Sequence, residues 1–150
     1  MEIRQYIESD AVEIWRLFHN TIHTVNAKDY TVEQLNAWSP AGVDVSTWAE
    51  RHLGKNTIVA FDGERLLGFG DINKAGYLSL LYVHINEIVK GIGMAICNES
   101  EKRSGAKEIK TYASITAVPF FEKRGYKIIK ENEVERNDVA FRNYTMKKVI

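Results

Sequence analysis

The sequence predicts a mixed α/β fold in a single domain spanning residues 1–150. Three features predict it. The first fifty residues carry helical periodicity and many aromatic rings, residues 57–83 hold three strand patterns joined by short turns, and from Tyr77 onward strands alternate with helices before two closing strands. A chain of 150 residues suits one core, because domains commonly run about 100–150 residues. No Pro/Gly/Ser-rich linker, repeat or low-complexity run divides it.

Residues 2–7 read as a short strand. Asp10 and Glu13 have capping-box spacing and start a helix to about His23, with Val12, Ile14, Trp15, Phe18 and Ile22 as its apolar stripe. Thr31 and Gln34 repeat the cap before Leu35 and Trp38, and Ser39-Pro40 stops that helix. A third helix covers Ser46 to Leu53. Thr57–Phe61 and Leu66–Gly70 are strands joined by Asp62-Gly63, a strong hairpin signal. Tyr77–Val83 needs only the Asn73–Gly76 loop to return antiparallel. Gly91–Ser104 is a helix, Glu108–Tyr112 a strand, and Thr116–Arg124 a helix ended by Gly125. Tyr126–Glu135 and Val139–Lys147 close the sheet. The unit from Tyr77 to Tyr112 is expected to be a right-handed crossover with its strands parallel.

Composition narrows the function. Twenty basic residues balance twenty acidic ones, and no basic stripe is visible, which argues against nucleic acid as a partner. The apolar stretches are far shorter than the roughly 20 residues that span a bilayer, so no membrane association is expected. The N-terminus lacks the apolar core and small-residue cleavage site of a secretory signal. Cys97 stands alone, and together these features point to the cytoplasm. His19 and His23 have metal-compatible i, i+4 spacing, but no His-Glu-x-x-His and no third ligand accompany them, so no metal is expected. Cys97 reads as a small buried hydrophobe, and Glu101-Lys102-Arg103 and Lys147-Lys148 as solvated charges.

The segment with chemistry runs from strand Leu80-Leu81-Tyr82-Val83 into Lys90-Gly91-Ile92-Gly93-Met94-Ala95, which opens a helix. The first N–H groups of a helix have no intrahelical partner, glycine lets a ligand approach them, and the helix dipole favours an anion. A diphosphate suits such a turn. Neither a Gly-x-x-x-x-Gly-Lys-Ser/Thr loop nor a Gly-x-Gly-x-x-Gly fingerprint after a first strand is present, which excludes the P-loop and dinucleotide folds.

With Leu81-Tyr82-Val83-His84, this glycine turn through Ile96, and Ala117-Val118-Pro119-Phe120-Phe121-Glu122-Lys123-Arg124-Gly125-Tyr126 in that order, the chain resembles the GNAT family of N-acetyltransferases over essentially its whole length. Tyr30-Thr31-x-x-Gln34-Leu35-x-Ala37-Trp38, Ala113-Ser114-Ile115-Thr116-Ala117 and Asn143-Tyr144-x-Met146 are similar to a bacterial branch of it. The resemblance implies an acyl-CoA N-acyltransferase fold, a mostly antiparallel sheet whose parallel pair Tyr77–Val83 and Glu108–Tyr112 is splayed at a bulge. It implies acetyl-coenzyme A as cofactor, with Leu81, Tyr82 and Val83 along the pantetheine arm and Lys90, Gly91, Ile92, Gly93, Met94 and Ala95 at the pyrophosphate. Ser114 and Phe121 fall at further cofactor-facing positions. The chain departs from the pattern at several places. Ile88 and Val89 replace a Gln or Arg and a Gly, which leaves Lys90 as the nearby cation. Ser114 replaces a frequent Asn, Phe121 a common tyrosine acid, and Ser79 a frequent acidic residue.

The implied activity is direct attack of a primary amine, from a small molecule or peptide, on the acetyl thioester. Positioning two reactants can lower a barrier by up to about 7–11 kcal/mol. Asp71, on the strand adjoining Tyr77–Val83, is the candidate base, and Tyr82, Ser114 or Thr116 the candidate donors to the leaving thiolate. Tyr30, Trp38 and Trp48 either line an acceptor pocket or pack the core. A module that binds coenzyme A without turnover, and a domain without cofactor, are the alternatives. The closing strands could also pair across a two-fold axis in a homodimer.

Overall fold

The computed structural model describes residues 1–88 and 90–150. Their strands form one sheet in the order β1-β2-β3-β4-β5-β7-β6. β1 (Glu2–Gln5), β2 (Thr57–Asp62), β3 (Arg65–Ile72) and β4 (Tyr77–Val83) are antiparallel neighbours. β4 meets β5 (Glu108–Ser114) in parallel, and β7 (Val139–Val149) lies antiparallel between β5 and β6 (Lys127–Arg136). Helices α1 (Ala11–Thr24), α2 (Val32–Trp38) and α3 (Val45–His52) cover one face, here the front. On the back, α4 (Ile92–Ser104) and α5 (Val118–Lys123) pack. The mixed α/β fold and the parallel β4/β5 pair expected from the sequence are both present.

Burial explains the layering. β2 is buried through Thr57–Phe61 because helices cover both its faces. The front core joins Ile14, Phe18 and Ile22 of α1 to Phe69 and Phe141, and the back core joins Leu78, Cys97, Ile109 and Met146. Each such aliphatic or aromatic side chain contributes about 1.5–3 kcal/mol on burial. Helix α4 packs against β3 across Gly68 and Gly70. A Cβ on either would lie 2.9 Å from Ile96. This contact sets the depth of α4, and therefore where its N-terminus opens.

Local signals work where nothing tertiary competes. Thr31 Oγ1 accepts from Gln34 N–H at 3.1 Å and Gln34 Oε1 accepts from Thr31 N–H at 2.8 Å, the expected capping box. The hairpin between β6 and β7 turns on Asn137 and Asp138, with φ +49° and +64°, values these residue types tolerate. Asp10 does not cap α1 as expected. Its carboxylate is taken by Arg4, at 2.9 and 3.0 Å, and by Ile7 N–H, which fastens the end of β1 to the start of α1. Glu101 is likewise no solvated charge. It accepts from Arg124 at 2.9 and 3.0 Å and from the Tyr126 hydroxyl at 2.7 Å, and Lys148 lies 3.4 Å away. This network ties α4 to the end of α5 and the start of β6. None of the helices among the described residues is long and apolar enough to cross a membrane.

Candidate active site

The decisive geometry lies between β4 and β5. The strands pair only at Tyr77 with Lys110 and Leu78 with Thr111, where Thr111 Oγ1 also donates to Leu78 C=O at 2.9 Å. Beyond Leu78 they separate. On its other side β4 stays paired with β3 to Val83, but the register shifts between Asp71–Leu80 and Ile72–Leu78, which makes Ser79 the extra residue of a bulge. A bulge bends the strand that carries it, and here the bend coincides with the opening. His84 N–H donates to Leu67 C=O on β3 at 2.7 Å. Main-chain groups alternate sides along a strand, so those of Leu81 and Val83 face the gap. The Val83 carbonyl on that side accepts from Thr21 Oγ1 of α1 at 3.2 Å.

The glycine turn stands at the mouth of the gap. Gly91 is the N-cap of α4 with φ +84°, a left-handed conformation that favours glycine, and among the described residues nothing lies within 4 Å of where its Cβ would stand. Among the described residues no side chain caps this end, and the Ala95 N–H bonds back to Gly91 C=O at 3.0 Å. The Gly93 position is tighter, with a Cβ there 3.2 Å from the Phe120 ring. An open, uncapped helix start beside a half-unpaired strand fits a diphosphate joined to a slender arm. The expected cation is altered, however. Lys90 Nζ lies 3.5 Å from Glu87 Oε2, and Arg65 binds the same carboxylate. The Arg65 hydrogen bond, aided by Lys90, holds the Glu87 carboxyl below its usual range. Lys90 thus reaches the turn already paired with a carboxylate. Val89 lies outside the described residues.

On the front face, where β4 and β5 begin to part, lies a cavity of about 470 Å³ whose lining includes Tyr77, Ser79, Tyr112, Asn132 and Asn143. Asp71 stands beside it, accepting from Thr57 Oγ1 at 2.5 Å and from Ser79 Oγ at 3.2 Å.

Comparison with known proteins agrees with this geometry. The model of the acetyltransferase (GNAT) domain matches residues 26–148. The chain belongs to the GNAT acetyltransferase family. It is 28% identical over 148 residues to the uncharacterized N-acetyltransferase YafP of Escherichia coli K12, covering 98% of this chain and 95% of that one. A GCN5-related N-acetyltransferase of Rhodopseudomonas palustris superposes with a TM-score of 0.92 at 30% identity, covering 99% of this chain and 95% of that one. The PaiA N-acetyltransferase of Thermoplasma acidophilum, solved in complex with coenzyme A, shares the fold with a TM-score of 0.74 at 20% identity, over 99% and 98% of the two chains.

Within this GNAT fold the residues singled out in the sequence fall into two groups. Leu81, Tyr82, Val83, Gly91, Ile92, Gly93, Met94 and Ala95 lie on the gap-lining half of β4 or on the first turn of α4. The Tyr82 side chain projects to the front, where its ring stacks on Phe69 and meets Phe18 edge-on, with centroids 5.7 and 4.9 Å away. Burial there pushes its hydroxyl far above the usual phenol range, so it remains protonated. Ser114 ends β5 on the far side of the gap, its hydroxyl accepting from Ala117 N–H at 3.2 Å, and Thr116 donates to Asp29 at 2.7 Å.

The second group packs in or against the cores, one of the two readings open for Tyr30, Trp38 and Trp48. Tyr30 is 8% exposed, and its hydroxyl is consumed by Arg142 C=O and Ile115 N–H, both at 2.9 Å, so it clamps β7 to the end of β5 instead of facing a pocket. Phe121 is buried in the back core against Phe120 and Tyr126. Trp38 and Trp48 are half-buried at the edge of the front core, Trp38 against Tyr30 and Phe141 and Trp48 against Phe18. Sequence reasoning missed His52, which packs on Trp48 one helical turn away. Desolvation there, with Arg51 and Arg136 nearby, holds its imidazole below the usual range despite Asp71. Its only sequence signal was the i, i+4 spacing from Trp48. Cys97 is fully buried, and burial pushes its thiol up to about 12, so it is no nucleophile.

Proposed function

We propose that the chain is an acetyl-coenzyme A-dependent N-acetyltransferase that acetylates a primary amine of a small molecule or peptide, with donor and acceptor held together at the gap. The separation of β4 from β5 after Leu78, beside the unhindered Gly91 turn, is the observation that carries this. The coenzyme A complex of the PaiA enzyme, on the same fold, supports the choice of cofactor.

When bound, acetyl-coenzyme A supplies a thioester whose acyl carbon takes the amine and whose sulfur leaves as a thiol. The main chain of Leu81 and Val83 would pair with the pantetheine arm as with an added strand. The free amides of residues 92–94 would hold the diphosphate with the positive end of the α4 dipole. A main-chain N–H in the gap would be placed to donate to the thioester oxygen. The amine must shed a proton to react, and Ser79, hydrogen-bonded to Asp71, passes it to that carboxylate. The protonated Tyr82 hydroxyl and Ser114 are the donors available to the departing sulfur.

Coenzyme A at about 100 times its dissociation constant should stabilise the fold by about 2.7 kcal/mol, read as a thermal shift, and acetyl-coenzyme A with an amine panel should release free thiol. Asp71→Asn should lower kcat by about 10²–10⁴ while leaving the KM for acetyl-coenzyme A unchanged. Unchanged turnover and an unchanged pH profile would remove Asp71 from the mechanism. Binding without turnover of any amine would make the chain a coenzyme A-binding module, a reading that the buried Phe121, lacking a hydroxyl, favours.

A further inference from the structure

The front-face cavity is lined by a cation, Arg136, that pairs with no carboxylate among the described residues. Arg136 is the last residue of β6, opposite Val139, and lines the cavity with Tyr77, Ser79, Tyr112 and Asn143. Among the described residues no carboxylate lies within ion-pair distance of it. Its guanidinium is held by aromatic faces instead, 5.6 Å from the Trp38 ring centroid and 5.9 Å from that of Phe141. The hairpin that follows is pinned, because Asn137 Nδ2 donates to Ala37 C=O at 2.7 Å at the end of α2. Arg136 itself is exposed at the rim, with its guanidinium over these two rings. Its charge is felt by Tyr30, His52, Tyr77 and Tyr82 on the surrounding elements.

The other charges along the cavity are arranged unequally. Glu131 is occupied by Arg142 at 3.0 Å, while Glu133 and Lys130 are exposed on the edge strand. The Asp71 carboxylate reaches the cavity only through the Ser79 hydroxyl. One side thus presents a hydrogen-bonded carboxylate and the other a bare guanidinium with a planar donor fork suited to a carboxylate. An acceptor that carries both an amine and a carboxylate complements both sides.

We propose that Arg136 is a specificity-determining residue that binds a carboxylate of the acceptor, so that the preferred acceptors are free amino acids, with the amine directed toward Ser79 and Asp71. The inference rests on the transferase function proposed above and names its substrate class. Trp38, under the guanidinium, provides a readout that needs no turnover. Titration with L-phenylalanine should change the tryptophan fluorescence saturably, whereas phenethylamine, the same amine without the carboxylate, should bind roughly tenfold to a hundredfold more weakly. Arg136→Gln should remove that difference, and Arg136→Lys, which keeps the charge but not the fork, should restore part of it. In turnover, amino acids should outpace their own amides in kcat/KM by a similar factor in the wild type and not in Arg136→Gln, with the KM for acetyl-coenzyme A unchanged.

Equal binding of L-phenylalanine and phenethylamine to the wild type, or equal losses for acids and amides in Arg136→Gln, would overturn the inference. A thermal shift with coenzyme A alongside preference for uncharged amines would sink the substrate class and leave the transferase standing. Absence of any coenzyme A shift would sink the transferase, and the fluorescence titration would still decide whether Arg136 binds carboxylates.

Discussion

Gly76 sits where β4 and β5 are still joined, and replacing it by alanine tests how the gap is built. Its carbonyl accepts from Lys110 N–H at 2.8 Å, the hydrogen bond that begins the parallel pairing, and its φ is +89°. A Cβ there would lie 2.2 Å from the Glu108 carbonyl oxygen and 2.9 Å from Ala106 Cβ. Real Cβ contacts essentially never fall below 3.0 Å, so the two backbones must part by about 0.8 Å. The left-handed conformation costs about 1–2 kcal/mol for alanine, and forcing packed backbone apart typically about 1–3 kcal/mol more. Together these are about 2–5 kcal/mol, which for a chain of this size lowers Tm by roughly 5–15 °C. Gly63→Ala is the control. Its φ is +61° but nothing lies within 4 Å of the added methyl, so it suffers the conformational cost alone. Thermal melts of both variants, with and without coenzyme A, separate the two contributions. Gly76→Ala should melt well below Gly63→Ala and show a smaller shift with coenzyme A. Equal melting temperatures for the two variants would refute the claim that Gly76 sets the spacing of the strands.

Two further outcomes follow from buried charge and from histidine. Glu101→Gln leaves Arg124, whose side chain is 6% exposed, without its anion, and should destabilise by about 3–5 kcal/mol in denaturant unfolding. His19 stacks on Trp15 and bonds the Ser39 hydroxyl at 2.7 Å, and burial, with His23 beside it, holds its imidazole below the usual value of 6.5. Because the folded value is the lower one, its contribution is complete above pH 6.5 and is lost as pH falls through the folded value. Tm measured from pH 7.5 down to 5 should therefore drop less in His19→Gln than in the wild type, and parallel curves would contradict this.

The sequence was readable where local chemistry decides. The Thr31–Gln34 cap, the limits of β4 and the glycine turn before α4 all stand where their residues predict, since each depends on neighbours within a few positions. The splay of β4 from β5 was expected only through family resemblance, because Ser79 becomes a bulge through the register with β3, which no local pattern encodes. Partners distant in sequence hid the rest. Asp10 has the spacing of a cap but is claimed by Arg4 from a strand, and Glu101 looks like surface charge until Arg124, Tyr126 and Lys148 converge on it. Tyr30 was taken up by main-chain groups more than eighty residues away. Arg136 gave no signal because a charged residue on a closing edge strand is ordinary, and its aromatic supports come from α2 and β7.

The unpaired half of β4 has a consequence for the company this protein keeps. Exposed strand borders invite other polypeptides to add themselves and aggregate, yet this one lies inside the sheet, with β5 across the opening. A foreign sheet cannot follow its own leading strand into so narrow a slot. A thin, unbranched chain with alternating amides can, and so the same feature that admits such a guest keeps protein neighbours out.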